Sequence, residues 1–270
     1  MKIRHLNRLL VFVITVALWT GCRTEFERVR TSNDPDKVYE KAVAYYEEGE
    51  YLKAQTLLEL ILNNFRGTAK AEDLYFKYAY THYHMKNFLL AAHYFDNFSN
   101  TFTSSDLRQE ADYLRGYSNY LLSPNHRLDQ EYTRKAIEQF QLYANTYPNS
   151  DRTGEINTLI DEARSKLEQK EFDQGMLYYD LRNYNSAVHT FENLLKDFPE
   201  TANAEQIRFL IFKSAFLLAE NSFFERQQER FEEALEKFES FKKKFPASEY
   251  MAEASSMERS SRARLKFIAQ

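Results

Sequence analysis

Apolar residues recur along this chain in a single frame that appears five times. Tyr51, Ala54, Leu58 and Ile61 set it, and it returns as Phe88, Ala91, Phe95 and Phe98. Ala136, Phe140 and Tyr143 repeat it with Thr133 in the aromatic position. Tyr184, Ala187, Phe191 and Leu194 follow, then Phe231, Ala234, Phe238 and Phe241. These offsets draw one buried stripe along an α-helix, because positions about three, four and seven apart share a face. Pro148, Pro199 and Pro246 each stand twelve residues after the alanine and end the helix, since proline lacks the amide donor and clashes with the preceding turn. A second helix precedes each of these, marked by a small residue (Ala42, Ala79, Gly116, Gly175, Ala215) where two backbones approach.

In three copies the small residue lies twelve before the alanine, and Tyr45 and Tyr178 fall at aromatic positions. That combination resembles the tetratricopeptide repeat (TPR). The predicted fold is all-α: a superhelical solenoid of about five TPR-like helix pairs closed by a C-terminal capping helix over Ser248 to Ile268. The spacing is irregular, with successive alanines 37, 45, 51 and 47 apart where the ideal repeat is about 34. Ser123 to Tyr132 reads as an insertion between the helices of the third pair, opened by Pro124-Asn125. The first helix of the fourth pair runs long, roughly Arg152 to Leu181, and an extended connection is expected over Asn221 to Arg226. Asp34-Pro35 opens the first pair, aspartate at N-cap and proline at N1.

The N-terminus reads differently. Lys2, Arg4 and Arg8 precede an apolar run from Leu9 to Leu18, too short to span a bilayer, which needs about 20 apolar residues. A basic start, a short apolar core and small residues at its end describe a secretory signal peptide over residues 1–21. Thr20-Gly21-Cys22 resembles a bacterial lipobox, although Trp19 stands where leucine is usual. Cys22, the only cysteine, has no disulfide partner within the chain, and lipidation gives it a use. Acyl chains contribute about 0.8 kcal/mol per buried methylene, so two or three chains hold the protein at a membrane permanently. Residues 22–34 are then a lipidated tether, residues 35–148 carry repeats one to three, and residues 149–270 carry repeats four and five with the cap.

Charge and composition remove several function classes. The formal net charge is −4, and it becomes −7 without Lys2, Arg4 and Arg8. Nucleic acid is an unsuitable partner for such a surface, since phosphates require clustered Lys and Arg. The run Lys242 to Lys244 complements a helix C-terminus. The sequence carries no phosphate-binding glycine loop, nucleophile elbow or His-Glu-x-x-His motif. His82-x-His84 does not chelate well, because residues two apart on a helix diverge. No enzyme, no metal and no cofactor beyond the lipid on Cys22 is expected.

Signal, tether, helix pairs and cap together resemble the BamD family of outer-membrane assembly lipoproteins. The segment Leu167 to Phe172, with Tyr178-Tyr179, Tyr184, Phe191 and Asp197 to Thr201, is similar to that family's fourth repeat. Tyr143 to Ser150 is similar to the end of its third. The resemblance implies a lipid anchor on the periplasmic face of the outer membrane, and Arg23 after the cysteine fits that sorting. It also implies docking, through the C-terminal repeats, on the POTRA domains of a BamA-like insertase. The N-terminal repeats would read unfolded β-barrel precursors. Thr190 stands where some members place an arginine used against the insertase, so that contact is not carried over. A TPR lipoprotein scaffold for another envelope complex is the alternative.

Tyr45, Tyr46, Tyr75, Tyr78, Tyr80, His82, Tyr83 and His84 crowd the first helices of the first two pairs. A helix buries only one or two stripes, so some of these rings stay on the surface and the rest pack between repeats. The candidates for precursor binding are Tyr75, Tyr78, His82 and Tyr83, with Phe65 placed there by the family resemblance. Arg226 and Arg230 are candidates for docking on an acidic partner, or else exposed charge on a flank.

Overall fold

A computed structural model describes residues 24–270; residues 1–23, with the signal segment and Cys22, lie outside the described residues. Among the described residues twelve α-helices form and no strand does. In chain order they are α1 Glu25–Arg30, α2 Pro35–Glu47, α3 Tyr51–Ile61, α4 Ala71–His84, α5 Phe88–Thr101 and α6 Arg108–Leu122. Then come α7 Glu131–Thr146, α8 Thr153–Asp180, α9 Tyr184–Asp197, α10 Ala204–Glu220, α11 Phe224–Lys244 and α12 Met251–Ile268. None is long and apolar enough to cross a membrane. The five alanine anchors lie on α3, α5, α7, α9 and α11, and each is fully buried. An all-α helical-repeat architecture built of helix pairs is therefore present as predicted.

Two compact units divide the described residues: 24–123 with 135–153, and 124–134 with 154–270. In the first, α2 packs on α3, α3 on α4, α4 on α5 and α5 on α6. Its core holds Val38, Ala42, Tyr45, Leu57, Leu58, Ile61, Leu74 and Tyr78. In the second, α9 packs on α10, α10 on α11, and α12 closes against both α10 and α11. Phe191, Leu194, Ile207, Phe212, Phe231, Phe238 and Phe241 form that core.

The small residues do what their spacing predicts. A Cβ built on Gly116 would lie 2.9 Å from two atoms of the Phe140 ring. On Gly175 it would meet the Phe191 ring at 2.7 and 2.8 Å and closer still at Cε1. Glycine is required at both because an aromatic of the following helix lies flat on the backbone there.

One regularity goes beyond the predicted frame. Eleven residues after each alanine stands an aromatic (Phe65, Phe102, Tyr147, Phe198, Phe245), and fourteen after it a Ser or Thr (Thr68, Ser105, Ser150, Thr201, Ser248). Every one of these Ser/Thr amides donates to the carbonyl of its aromatic, and every one of their carbonyls accepts from the amide three residues on, at the start of the next helix. The hydroxyls of Ser105, Ser150, Thr201 and Ser248 accept the amide two residues ahead. Ser/Thr side chains favour such turns because the hydroxyl satisfies an otherwise orphaned donor. Two of the hydroxyls also donate to a carboxylate of an earlier first helix, Ser105 to Glu72 at 2.6 Å and Thr201 to Glu168.

Two expectations need correction, and one helix was not expected. Part of the segment read as a tether is helical: Thr24 caps α1, and Phe26 meets the Tyr45 ring edge-on at 6.0 Å. Phe26 and Val29 lie one helical turn apart and pack on the first core, which gives this short helix its reason to form. The connection expected over Asn221 to Arg226 shrinks to residues 221–223, because α11 begins at Phe224. Gln227 and Ser222 explain this, the buried amide of Gln227 donating to the Ser222 carbonyl at 3.0 Å. The insertion ends at Gln130 rather than Tyr132. It is tied to α8 by Lys170, which donates to the Leu128 carbonyl at 2.8 Å, and by His126 against Asp173 at 3.0 Å.

Candidate peptide-recognition surface

Helix α4 splits its aromatic residues between two faces. Residues two apart point in nearly opposite directions, so Tyr78 and His82 turn one way and Tyr80 and His84 the other. On the inner side, Tyr78 and His82 are each 3% exposed and close on Tyr94 of α5, with ring centroids 4.7 and 5.0 Å away. On the outer side, Tyr80 meets Tyr46 of α2 at 6.5 Å, His84 at 4.8 Å and Tyr83 at 5.7 Å. His84 stacks flat on Tyr51, the first residue of α3, at 4.1 Å. Tyr83 continues the row toward Phe88 at 5.8 Å, and its phenol feels that of Tyr117 on α6. Tyr117 in turn stacks between Tyr113 at 5.5 Å and Tyr120 at 5.9 Å.

The result is two runs of contacting rings, one over α2, α3 and α4 and one on α6, with Tyr83 and Tyr117 near enough for their phenols to interact, all within the first unit. Tyr46, Tyr51, Tyr80, Tyr83, Tyr117 and Tyr120 are half-buried, and His84 is exposed. Burial raises the phenols of Tyr46, Tyr80 and Tyr83, so they stay neutral hydroxyls at physiological pH. Partial desolvation of its ring under Tyr51 also lowers His84, which favours the neutral imidazole. Formal charge enters at both ends: Lys77 lies 5.6 Å over the Tyr46 ring, and Arg152 lies 3.9 Å over the Tyr113 ring and pairs with Glu110 at 2.7 Å. Chemically the row offers rigid apolar area with neutral hydrogen-bonding tips. It holds no nucleophile with a base, and among the described residues no group of three metal-ligating side chains comes together.

The predicted residues fare unequally. Tyr83 sits on the row. Tyr75 is half-buried and meets Phe102 edge-on at 5.8 Å, so it seals a connection instead. Phe65, Tyr78 and His82 are corrected from surface to core. Phe65 is the first of the five connection aromatics and packs on Tyr39 at 5.5 Å. Tyr46, Tyr51, Tyr80, Tyr117 and Tyr120 were not among the candidates. The signal for them was available, since Tyr80 and His84 share a face with each other but not with Tyr78 and His82.

In the second unit Arg226 is exposed on α11, while Arg230 is half-buried and donates to the Ser222 hydroxyl. Thr190 is half-buried on α9. Phe216, Glu220, Gln227, Phe231, Arg264 and Phe267 line a groove of about 480 Å³. The adjacent connection presents Phe223 at 86% exposure, followed by Phe224 at 53%.

The chain is similar in sequence to known proteins. The outer membrane lipoprotein family YfiO matches residues 31–215 and 177–266. The putative outer membrane protein assembly factor BamD of Aquifex aeolicus (strain VF5) is 26% identical over 214 residues, 78% of this chain and 69% of that protein. Among solved structures, the TPR2AB domain of yeast Sti1 in its pHSP90 complex covers 87% of this chain and 98% of its own, at 14% identity and a TM-score of 0.37. A Podosopora anserina putative kinesin light chain with nearly identical TPR-like repeats covers 80% and 100%, at 14% identity and a TM-score of 0.33. Those superpositions are loose, and the fold assignment rests on the helix pairs themselves. With the family profile spanning nearly all of the described residues, the chain belongs to the YfiO family of outer membrane lipoproteins, the BamD type that its repeats resemble.

Proposed function

We propose that this chain is a lipid-anchored subunit of the machinery that assembles β-barrel proteins in the outer membrane, and that it works by binding without covalent chemistry. Its anchor is Cys22, acylated after removal of residues 1–21. The first unit receives unfolded precursors, and the second docks on the POTRA domains of a BamA-like insertase. Family membership supports the setting, and the printed name of the Aquifex relative supports the assembly role.

The contacting rings from Tyr51 through His84 and Tyr80 to Tyr83, with the Tyr117–Tyr120 stack whose phenol Tyr83 feels, are the observation that carries precursor binding. An unfolded outer-membrane strand alternates apolar, often aromatic, residues with polar ones. Neutral rings in a row accept the apolar side chains, and phenolic tips serve the strand's polar groups without the desolvation that a charged groove requires. Exposed Phe223, Phe224 and Arg226 at the start of α11, and Arg264 over the Phe267 ring on α12, support the docking role, because exposed aromatics with arginine are what protein interfaces favour.

Affinity purification of the full chain in mild detergent tests the reading. Recovery of a POTRA-bearing barrel protein, and loss of outer-membrane barrels on depletion, are the expected results. Recovery of a different envelope complex, with barrel levels unchanged, would replace it by the alternative scaffold role.

A further inference from the structure

We propose that His82 is an acid-sensitive latch, a neutral imidazole that holds the α4–α5 pair closed and releases it on taking up a proton. The inference stands independently of what the tyrosine row binds.

Geometry carries it. His82 is 3% exposed, and neither Nδ1 nor Nε2 has a hydrogen-bond partner. Buried polar atoms are nearly always paired, so a ring with both nitrogens orphaned is a departure that calls for a reason. Tyr94 of α5 lies stacked against it at 5.0 Å and 25°, and Tyr78 meets it edge-on at 4.9 Å and 89°. A neutral imidazole fits this box as a flat aromatic spacer. An imidazolium does not fit, because it brings two charged N–H donors into a place with no acceptor.

The surrounding charges do not rescue the protonated ring. On α3, Glu59 favours the cation, but it is exposed and accepts from Gln55 at 3.1 Å. On α5, Asp96 is taken up by Arg115 at 2.6 Å, and exposed His93 is bonded to Asn97 at 3.0 Å. On α4 itself, Asp73 and Lys77 pair with each other. From α2, which also packs on α4, Tyr46 reaches the opposite face at Tyr80 and His84. Burial outweighs Glu59, and the imidazole is held below the ordinary histidine range. A histidine lowered in the folded state contributes stability that is fully present above its ordinary range and is lost as pH falls through it.

The test is amide hydrogen exchange on the full chain, with protection corrected for intrinsic exchange, from about pH 7.5 to about pH 5.5. Protection of α4 and α5 should fall by up to about tenfold per pH unit once the ordinary histidine range is entered. In His82→Phe, which keeps a flat ring but binds no proton, that dependence should vanish while α10 in the second unit behaves as in the unaltered chain. An equal pH dependence in His82→Phe, or protection that does not change across the range, overturns the proposal. Should His82→Phe not fold, imidazole titration by NMR on the unaltered chain decides. Titration below the ordinary range together with loss of α4–α5 signals supports the latch, and titration within it with those signals intact refutes it.

Discussion

Gly175→Ala adds a single methyl group, yet it should be among the most damaging small changes in the second unit. Its Cβ would lie 2.7 Å from Cδ1 and 2.8 Å from Cζ of Phe191, both inside the closest approach that real Cβ atoms show. Phe191 is fully buried in the second core with the Phe172 ring 5.9 Å away, so its ring can give way only by displacing packed neighbours. Overpacking of this kind costs about 1–3 kcal/mol, and three ring atoms in conflict place this case near the upper end. Against that stands the helix preference for alanine over glycine, about 1 kcal/mol. The balance is a net loss of about 2 kcal/mol.

Two other glycines provide an internal scale. Gly116→Ala meets two Phe140 atoms at 2.9 Å and should lose less. Gly154→Ala has nothing within 4 Å, and in the first turn of α8 it should gain up to about 1 kcal/mol. Urea titration of the full chain, comparing midpoints at a common slope, reads the order directly. If Gly175→Ala is as stable as Gly154→Ala, the close approach that pairs α8 with α9 is wrong. A second substitution, Phe191→Leu, should return part of the loss in the Gly175→Ala background and reduce stability on its own.

Other expected outcomes follow from the same contacts. Thr201→Val removes a buried hydroxyl that donates to Glu168 and accepts the Asn203 amide, so the unfolding free energy should drop by about 1–3 kcal/mol in the same titration. Tyr80→Ser with Tyr83→Ser should weaken binding of an aromatic-rich unfolded barrel peptide at least about tenfold in fluorescence anisotropy, with the circular dichroism of the fold retained. Cys22→Ser should move the protein from the membrane to the soluble fraction on cell fractionation. Phe223→Ser with Arg226→Glu should reduce recovery of the insertase in a pull-down without lowering the melting temperature, since both side chains are exposed.

Much of the fold was legible because helix periodicity and small-residue contacts are local signals. Ala54, Ala91, Ala136, Ala187 and Ala234 mark buried faces, and the long α8 follows from an absence of breakers between Arg152 and Leu181. The Ser/Thr turns were equally legible, fourteen residues after each alanine, but a search tuned to apolar spacing passes over hydroxyls. The recognition surface was harder. On α4 aromatic or histidine side chains fill seven of the fourteen positions and fall on every face, so composition could not say which stripe is buried. Burial there is decided by Tyr94 of α5, a contact made only after the chain folds back. Helix α1 was missed because two apolar residues, Phe26 and Val29, are too few to register as a periodic pattern and act only by docking on Tyr45 and its neighbours.

The central claim is that the ring row on the first unit holds unfolded barrel chains. Photo-crosslinking in living cells tests it most directly, with a photoreactive residue at Tyr83 and a control at Leu52, which is exposed on α3. The account predicts adducts with newly made barrel precursors at Tyr83 that fade as the barrels insert, and few or none at Leu52. Equal labelling at both positions, or none at Tyr83 while the cells continue to insert barrels, would contradict it.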